Sequence, residues 1–184
     1  MTLHPLPQFL DIEASSLDWD SYPIEIAWSY PNGEVEAHLI DPYHILDWTD
    51  WDPAAQAVHG LSRRYLAEHG QDPKLVAGRI QAVLAGRPVY TDAVELDQYW
   101  LEVLFRYALG ASCSVQLLEM RTLWPDVSGN RLSRIYEAAW DDINDPPHRA
   151  GTDVRHRLAW YRRVEAELGG ESDNSRNNKQ LRVL

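Results

Sequence analysis

Residues 8 to 40 alternate apolar and polar side chains with a period of two, and this alternation constrains the chain more than any other feature. Side chains of a strand point to opposite faces in turn, so each run reads as a strand with one face in a core. In "SYPIEIAWSY", Ile24, Ile26, Trp28 and Tyr30 share a face. "PNG" at 31–33 is a hairpin turn signal, because Asn and Gly tolerate positive φ. "EVEAHLI" then sets Val35, Ala37 and Leu39 against Glu34, Glu36 and His38, with His38 expected on the solvent side. With residues 8–13 these runs predict a three-stranded antiparallel unit.

The first strand carries an anomaly. In "PQFLDIEASSL", Asp11 and Glu13 fall on one face together with Phe9, while Leu10 and Ile12 take the other. Two neighbouring acids on an apolar strand repel each other and lose hydration. Either that face is a wetted edge, or something positive lies between them.

From residue 41 the pattern changes. "DPYHILDWTDWDP" is an aromatic and acidic loop, and "AAQAVHGLSRRYLAEHG" reads as two short helices hinged at Gly60. "PKLVAGRIQAVLAG" is an amphipathic helix ending at Gly86, and "RPVYTDA" is a short strand. "ELDQYWLEVLFRYALG" is a helix with Leu96, Trp100, Leu104 and Tyr107 at apolar spacing, and "CSVQLLEM" is a further strand. "NRLSRIYEAAWDDI" and the segment after "DPPHRAGTD" are helices. The expected architecture is α/β: a mixed five-stranded sheet, three antiparallel strands then two parallel, flanked by helices. A ribonuclease H-like sheet has this order, although topology alone does not name a function.

A chain of 184 residues suits one domain, expected over 1–168, with the polar segment 169–184 as a mobile tail. No apolar run approaches the ~20 residues of a membrane helix, so no membrane association is expected. "MTLHPLPQF" lacks the pattern of a secretory signal. The single Cys113 cannot pair internally, which fits a reducing cytoplasm. The net charge of −11 is unlike the basic footprint of most nucleic-acid binders. Acids gathered around bound cations, however, lower the net charge while acting locally in the opposite sense.

Three segments in order, "FLDIEASSL", "TDAVELDQYWL" and "HRAGTD", resemble the three motifs of the DEDDh 3′–5′ exonucleases, from residue 9 to residue 153. The third is the most specific, with Asp153 five residues after His148. "VHGLS" at 58–62 also resembles a family segment that contacts the terminal nucleotide. The chain departs from the family at Ala14-Ser15-Ser16, where many members have Thr-Thr or Thr-Gly, and in the second motif, which offers both Asp92 and Asp97. Asp97 is preferred because Trp100-Leu101 follow it at the family spacing, leaving Asp92 a supporting place.

The resemblance implies that Asp11, Glu13, Asp97 and Asp153 hold two divalent cations. All-oxygen ligands suit Mg²⁺ or Mn²⁺. It implies that His148 is the general base, a role suited to an imidazole. Ala14, Ser15, Ser16, His59, Leu61 and Trp100 are the implied substrate contacts. Arg149, Arg155, Arg157, Arg162 and Arg163 crowd the last helix, where they can steer phosphate or lie on a solvated face. The implied activity is removal of nucleotides from the 3′ end of single-stranded or short DNA or RNA. The alternatives are an inactive interaction module on the same sheet and a hydrolase of small phosphate esters. The sequence leaves a homodimer open.

Overall fold

The computed structural model describes the backbone of residues 5–180 and the side chains of residues 5–170. Strands β1 (Gln8–Ala14), β2 (Pro23–Ser29) and β3 (Val35–Leu39) pair antiparallel, and Gly33 takes a positive φ of 88° in the connecting turn. The helices α1 (Pro53–His59), α2 (Arg63–His69) and α3 (Pro73–Leu84) follow. Each starts where a short polar side chain caps it: the carboxylates of Asp52 and Asp72 and the hydroxyl of Ser62 accept from backbone N–H groups of the first turn. Proline at the first helical position of α1 and α3 removes an N–H that would have no partner.

Then come β4 (Val89–Thr91), α4 (Val94–Leu109), β5 (Leu117–Glu119), α5 (Gly129–Ala139) and α6 (Ala150–Gln180). The sheet order is β3-β2-β1-β4-β5, with β1, β4 and β5 parallel to one another. This is the mixed five-stranded arrangement expected from the sequence.

Two cores sandwich the sheet. Leu10, Ile12, Ile24, Ile26 and Trp28 pack with residues of α3 and α4 on one face. Phe9 and Ala27 pack with residues of α5 and α6 on the other. On α6, Val154 and Val164 are fully buried, and each such side chain stabilises by about 1.5–3 kcal/mol. Because α6 lies on the Phe9 face, it also lies over Asp11 and Glu13.

Three details depart from the sequence reading. His38 is not on a solvent face: its ring stacks on Trp28 at 5.1 Å, and it bonds Glu36 at 2.8 Å. Arg79 of α3 joins that pair, bonding Glu36 at 2.8 Å, so the Nε2 of a half-buried histidine has a charged partner. On α4, Leu96 and Tyr107 are partly exposed, at 41% and 44%, and the buried stripe instead runs through Asp97, Trp100, Leu101 and Leu104. The backbone of α6 passes through Gly169 and Gly170 as helix, since neither takes the positive φ of a helix stop. Residues 181–184 of the expected tail lie outside the described residues. Among the described residues no helix is long and apolar enough to cross a membrane.

Candidate active site

β1 lies between antiparallel β2 and parallel β4; β4 pairs with Gln8 and Phe9, and the carboxyl end of β1 runs on beside β2. A register shift between Glu13 and Ala14 marks an irregularity at that end of the strand. Such bulges re-aim side chains beside functional sites. Asp11 and Glu13 rise from β1 toward the first turn of α6, which supplies Asp153. Single carboxylate oxygens of Asp11, Glu13 and Asp153 lie within 4.8 Å of one another. Asp97, in the first turn of α4, is buried beside them and accepts a hydrogen bond from the Thr91 hydroxyl at the end of β4. The acids line a cleft of about 280 Å³ whose walls include Leu96, Trp100, Tyr136, Trp140 and His148. A groove of about 660 Å³ elsewhere is larger, but it lacks this convergence.

The electrostatics are those of a site short of positive charge. Burial, with Asp11 and Asp153 close by, pushes the Glu13 carboxyl up to about 9. Burial and Asp11 push Asp153 to about 7, against the pull of Arg157. Asp11 is raised by burial, and Asp97 well raised by burial and by Asp11. Asp11 Oδ2 is buried with no hydrogen-bond partner among the described residues. An oxygen-only cluster with an orphaned carboxylate oxygen fits a hard divalent cation.

Arg157 lies one helical turn beyond Asp153, on the same stripe of α6. It is 5% exposed, donates to Asp11 Oδ1 at 2.7 Å, and pairs with Asp92. Burial opposes its charge, but Asp11, Asp92 and Asp97 hold it cationic. Arg149 bonds both oxygens of Glu25 on β2 at 2.9 and 2.8 Å, and the Ala150 N–H donates to Glu25 at 3.1 Å. These bonds tie the start of α6 to the sheet. His148 adopts φ 64°, uncommon for a residue with a Cβ, and its N–H donates to Asp153 Oδ2 at 3.1 Å. The turn therefore orients Asp153 and brings His148 to the cleft at once.

Of the residues expected from the sequence, Asp11, Glu13, Asp97, Asp153, His148 and Trp100 line this cleft. Ala14, Ser15, Ser16, His59 and Leu61 are not among its lining residues. The buried Ser15 and Ser16 hydroxyls both donate to the half-buried Asp50, at 3.0 and 2.6 Å. His59 is buried, accepts from the Leu61 N–H at 3.0 Å, and meets Trp51 edge-on. Two of the crowded arginines are paired at the surface: Arg155 with Asp145 and Arg163 with Asp142.

Sequence reasoning overlooked Glu25, His156 and Trp140. His156 lines the cleft, stacks on Trp140 at 3.8 Å and bonds the Tyr136 carbonyl at 2.9 Å. The four-residue step from Asp153 to Arg157, one helical turn, is the signal from which a cation at the site could have been read.

No protein-family model matches the chain, and no curated protein matches it. Solved structures do. A zinc-bound E. coli exonuclease I complex with single-stranded DNA superposes with a TM-score of 0.61 at 16% identity, over 87% of this chain and 40% of that one. E. coli exonuclease I in complex with a dA16 oligonucleotide gives 0.59 at 18% identity, over 88% and 41%. A moderately thermophilic exonuclease I from Methylocaldum szegediense gives 0.58 at 18%, over 83% and 39%. The chain thus spans about two fifths of the length of these proteins. At such identities the likeness is one of fold: the chain has the ribonuclease H-like fold found in exonuclease I.

Proposed function

We propose that the protein is a metal-dependent 3′–5′ exonuclease acting on single-stranded DNA or RNA ends. The observation that carries this reading is the gathering of Asp11, Glu13 and Asp153 within 4.8 Å, in one cleft with Asp97 and His148, on an exonuclease I-like fold. Asp11, Glu13 and Asp153 would hold a Mg²⁺ or Mn²⁺ ion. The sequence motifs alone imply a second ion on Asp97. A bound divalent cation polarises a phosphoryl oxygen and eases ionisation of the attacking water. His148, at the mouth of the cleft, accepts the proton of that water. The water oxygen bonds to phosphorus and the bond from phosphorus to the 3′ oxygen breaks. A nucleoside 5′-monophosphate leaves, and solvent protonates the new 3′ hydroxyl. Trp100, Tyr136 and Trp140 offer walls against which a terminal base can pack, a contact that tolerates any base.

A specific observation favours a second reading. Asp11 is already paired with the buried Arg157, as it would be in an interaction module that has given up catalysis. An end-labelled single strand incubated with Mg²⁺ or Mn²⁺ separates the two. Shortening by wild type and not by Asp11→Asn supports the exonuclease. An intact strand with folded wild-type protein supports the module.

A further inference from the structure

Building on the exonuclease reading, we propose that Arg157 takes the place of the second cation: the site binds one divalent ion, and the guanidinium supplies the other positive charge. Two ions in a two-metal site lie about 3.5–4 Å apart, close enough that one carboxylate could give an oxygen to each. Here the shared ligand would be Asp11, and its two oxygens have different fates. Oδ2 is buried with no hydrogen-bond partner among the described residues, on a carboxylate that offers one oxygen to the cluster with Glu13 and Asp153. Oδ1 accepts from Arg157 Nη2 at 2.7 Å. Asp97 falls outside the three-acid cluster and accepts from the Thr91 hydroxyl. One of the two oxygens of Asp11 is therefore held by a side chain that is buried, pinned by Asp92 and always protonated.

Arg157 is equipped to do more than neutralise. Its Nη1 is buried with no hydrogen-bond partner among the described residues. A guanidinium fixed beside the acids stabilises negative charge as it develops at phosphorus through its field, without touching the substrate. It cannot acidify water, so that task stays with the single ion on Asp11, Glu13 and Asp153. Glu13 and Asp153 are tied to that ion by position. Asp97 is left to balance Arg157.

The stoichiometry of Mn²⁺ tests this. Wild-type protein is titrated with Mn²⁺ by calorimetry and electron paramagnetic resonance, alone and with saturating thymidine 5′-monophosphate. One ion per chain with an uncoupled six-line spectrum, in both conditions, is the expected result. Two ions per chain with a spin-coupled spectrum overturn the proposal and leave the exonuclease reading standing. No bound ion in either condition overturns both. Arg157→Gln should raise the count from one ion to two, and a folded variant that still binds one also overturns the proposal. If that variant fails to fold, the wild-type count decides alone.

Discussion

His148 is the residue in which backbone and chemistry meet. Its left-handed φ of 64° lets its N–H reach Asp153 while its side chain stands at the cleft. His148→Ala is expected to lower the single-turnover rate by roughly 10²- to 10⁴-fold, the usual worth of a positioned proton acceptor. His148→Gly should lose the same rate while melting at an unchanged or higher temperature, because glycine adopts this φ without strain. A near-normal rate in both variants would leave His148 a structural turn. Glu13 carries a second expectation. Its carboxyl is raised from 4.5 to about 9 by burial and by Asp11 and Asp153, so the folded, metal-free chain holds a proton there that the unfolded chain has lost. Stability from this group is complete below about pH 4.5 and is lost as the pH rises toward 9. Melting temperatures of metal-free protein should therefore fall across that window. Glu13→Gln should flatten the fall, and saturating Mn²⁺ should reverse it by binding the ionised site. A fall as steep in Glu13→Gln as in wild type would assign it to other groups.

At the level of elements, the start of α6 is the part on which the site most depends, since the turn before it carries His148 and its first turn Asp153. Glu25 fastens it through Arg149 and the Ala150 N–H. Glu25→Ala removes one partner of a part-buried network and should destabilise by about 1–3 kcal/mol. Faster amide exchange confined to the first turn of α6, with weaker Mn²⁺ binding, is the signature to look for. Unchanged exchange there would make the tie incidental. Glu25 also shows where sequence reasoning stops. Alternation identified β1, β2 and β3, and the acids fell on the correct face of β1, because period and burial are local properties. Glu25 sits opposite Glu13 across the ladder, and nothing in "PIEIAWS" announces that Arg149, 124 residues away, will meet it. Ser15 and Ser16 show the same limit: Asp50, to which both hydroxyls donate, arrives from a distant loop. His38 was assigned to solvent because alternation assumes that a polar face is wet, and Trp28 and Glu36 half-bury it instead.

Across the whole molecule, the acids at residues 11, 13, 97 and 153 come together only when β1, α4 and α6 are assembled on the sheet. Beyond Leu168, the last side chain that packs on the α5–α6 core among the described residues, α6 is not needed for that assembly. Deleting residues 170–184 should leave melting and turnover unchanged, as checked by circular dichroism and a strand-shortening assay. Loss of either would give the end of α6 a structural task. The central claim is that this assembly hydrolyses nucleic acid from a free 3′ end. Its most direct test compares a 5′-labelled linear single strand with a covalently closed single-stranded circle of the same sequence, in Mg²⁺ or Mn²⁺. The account predicts a ladder of progressively shorter linear strands, release of nucleoside 5′-monophosphates, an untouched circle, and no reaction in EDTA. An intact linear strand, or a circle cut as readily as the linear strand, would contradict it.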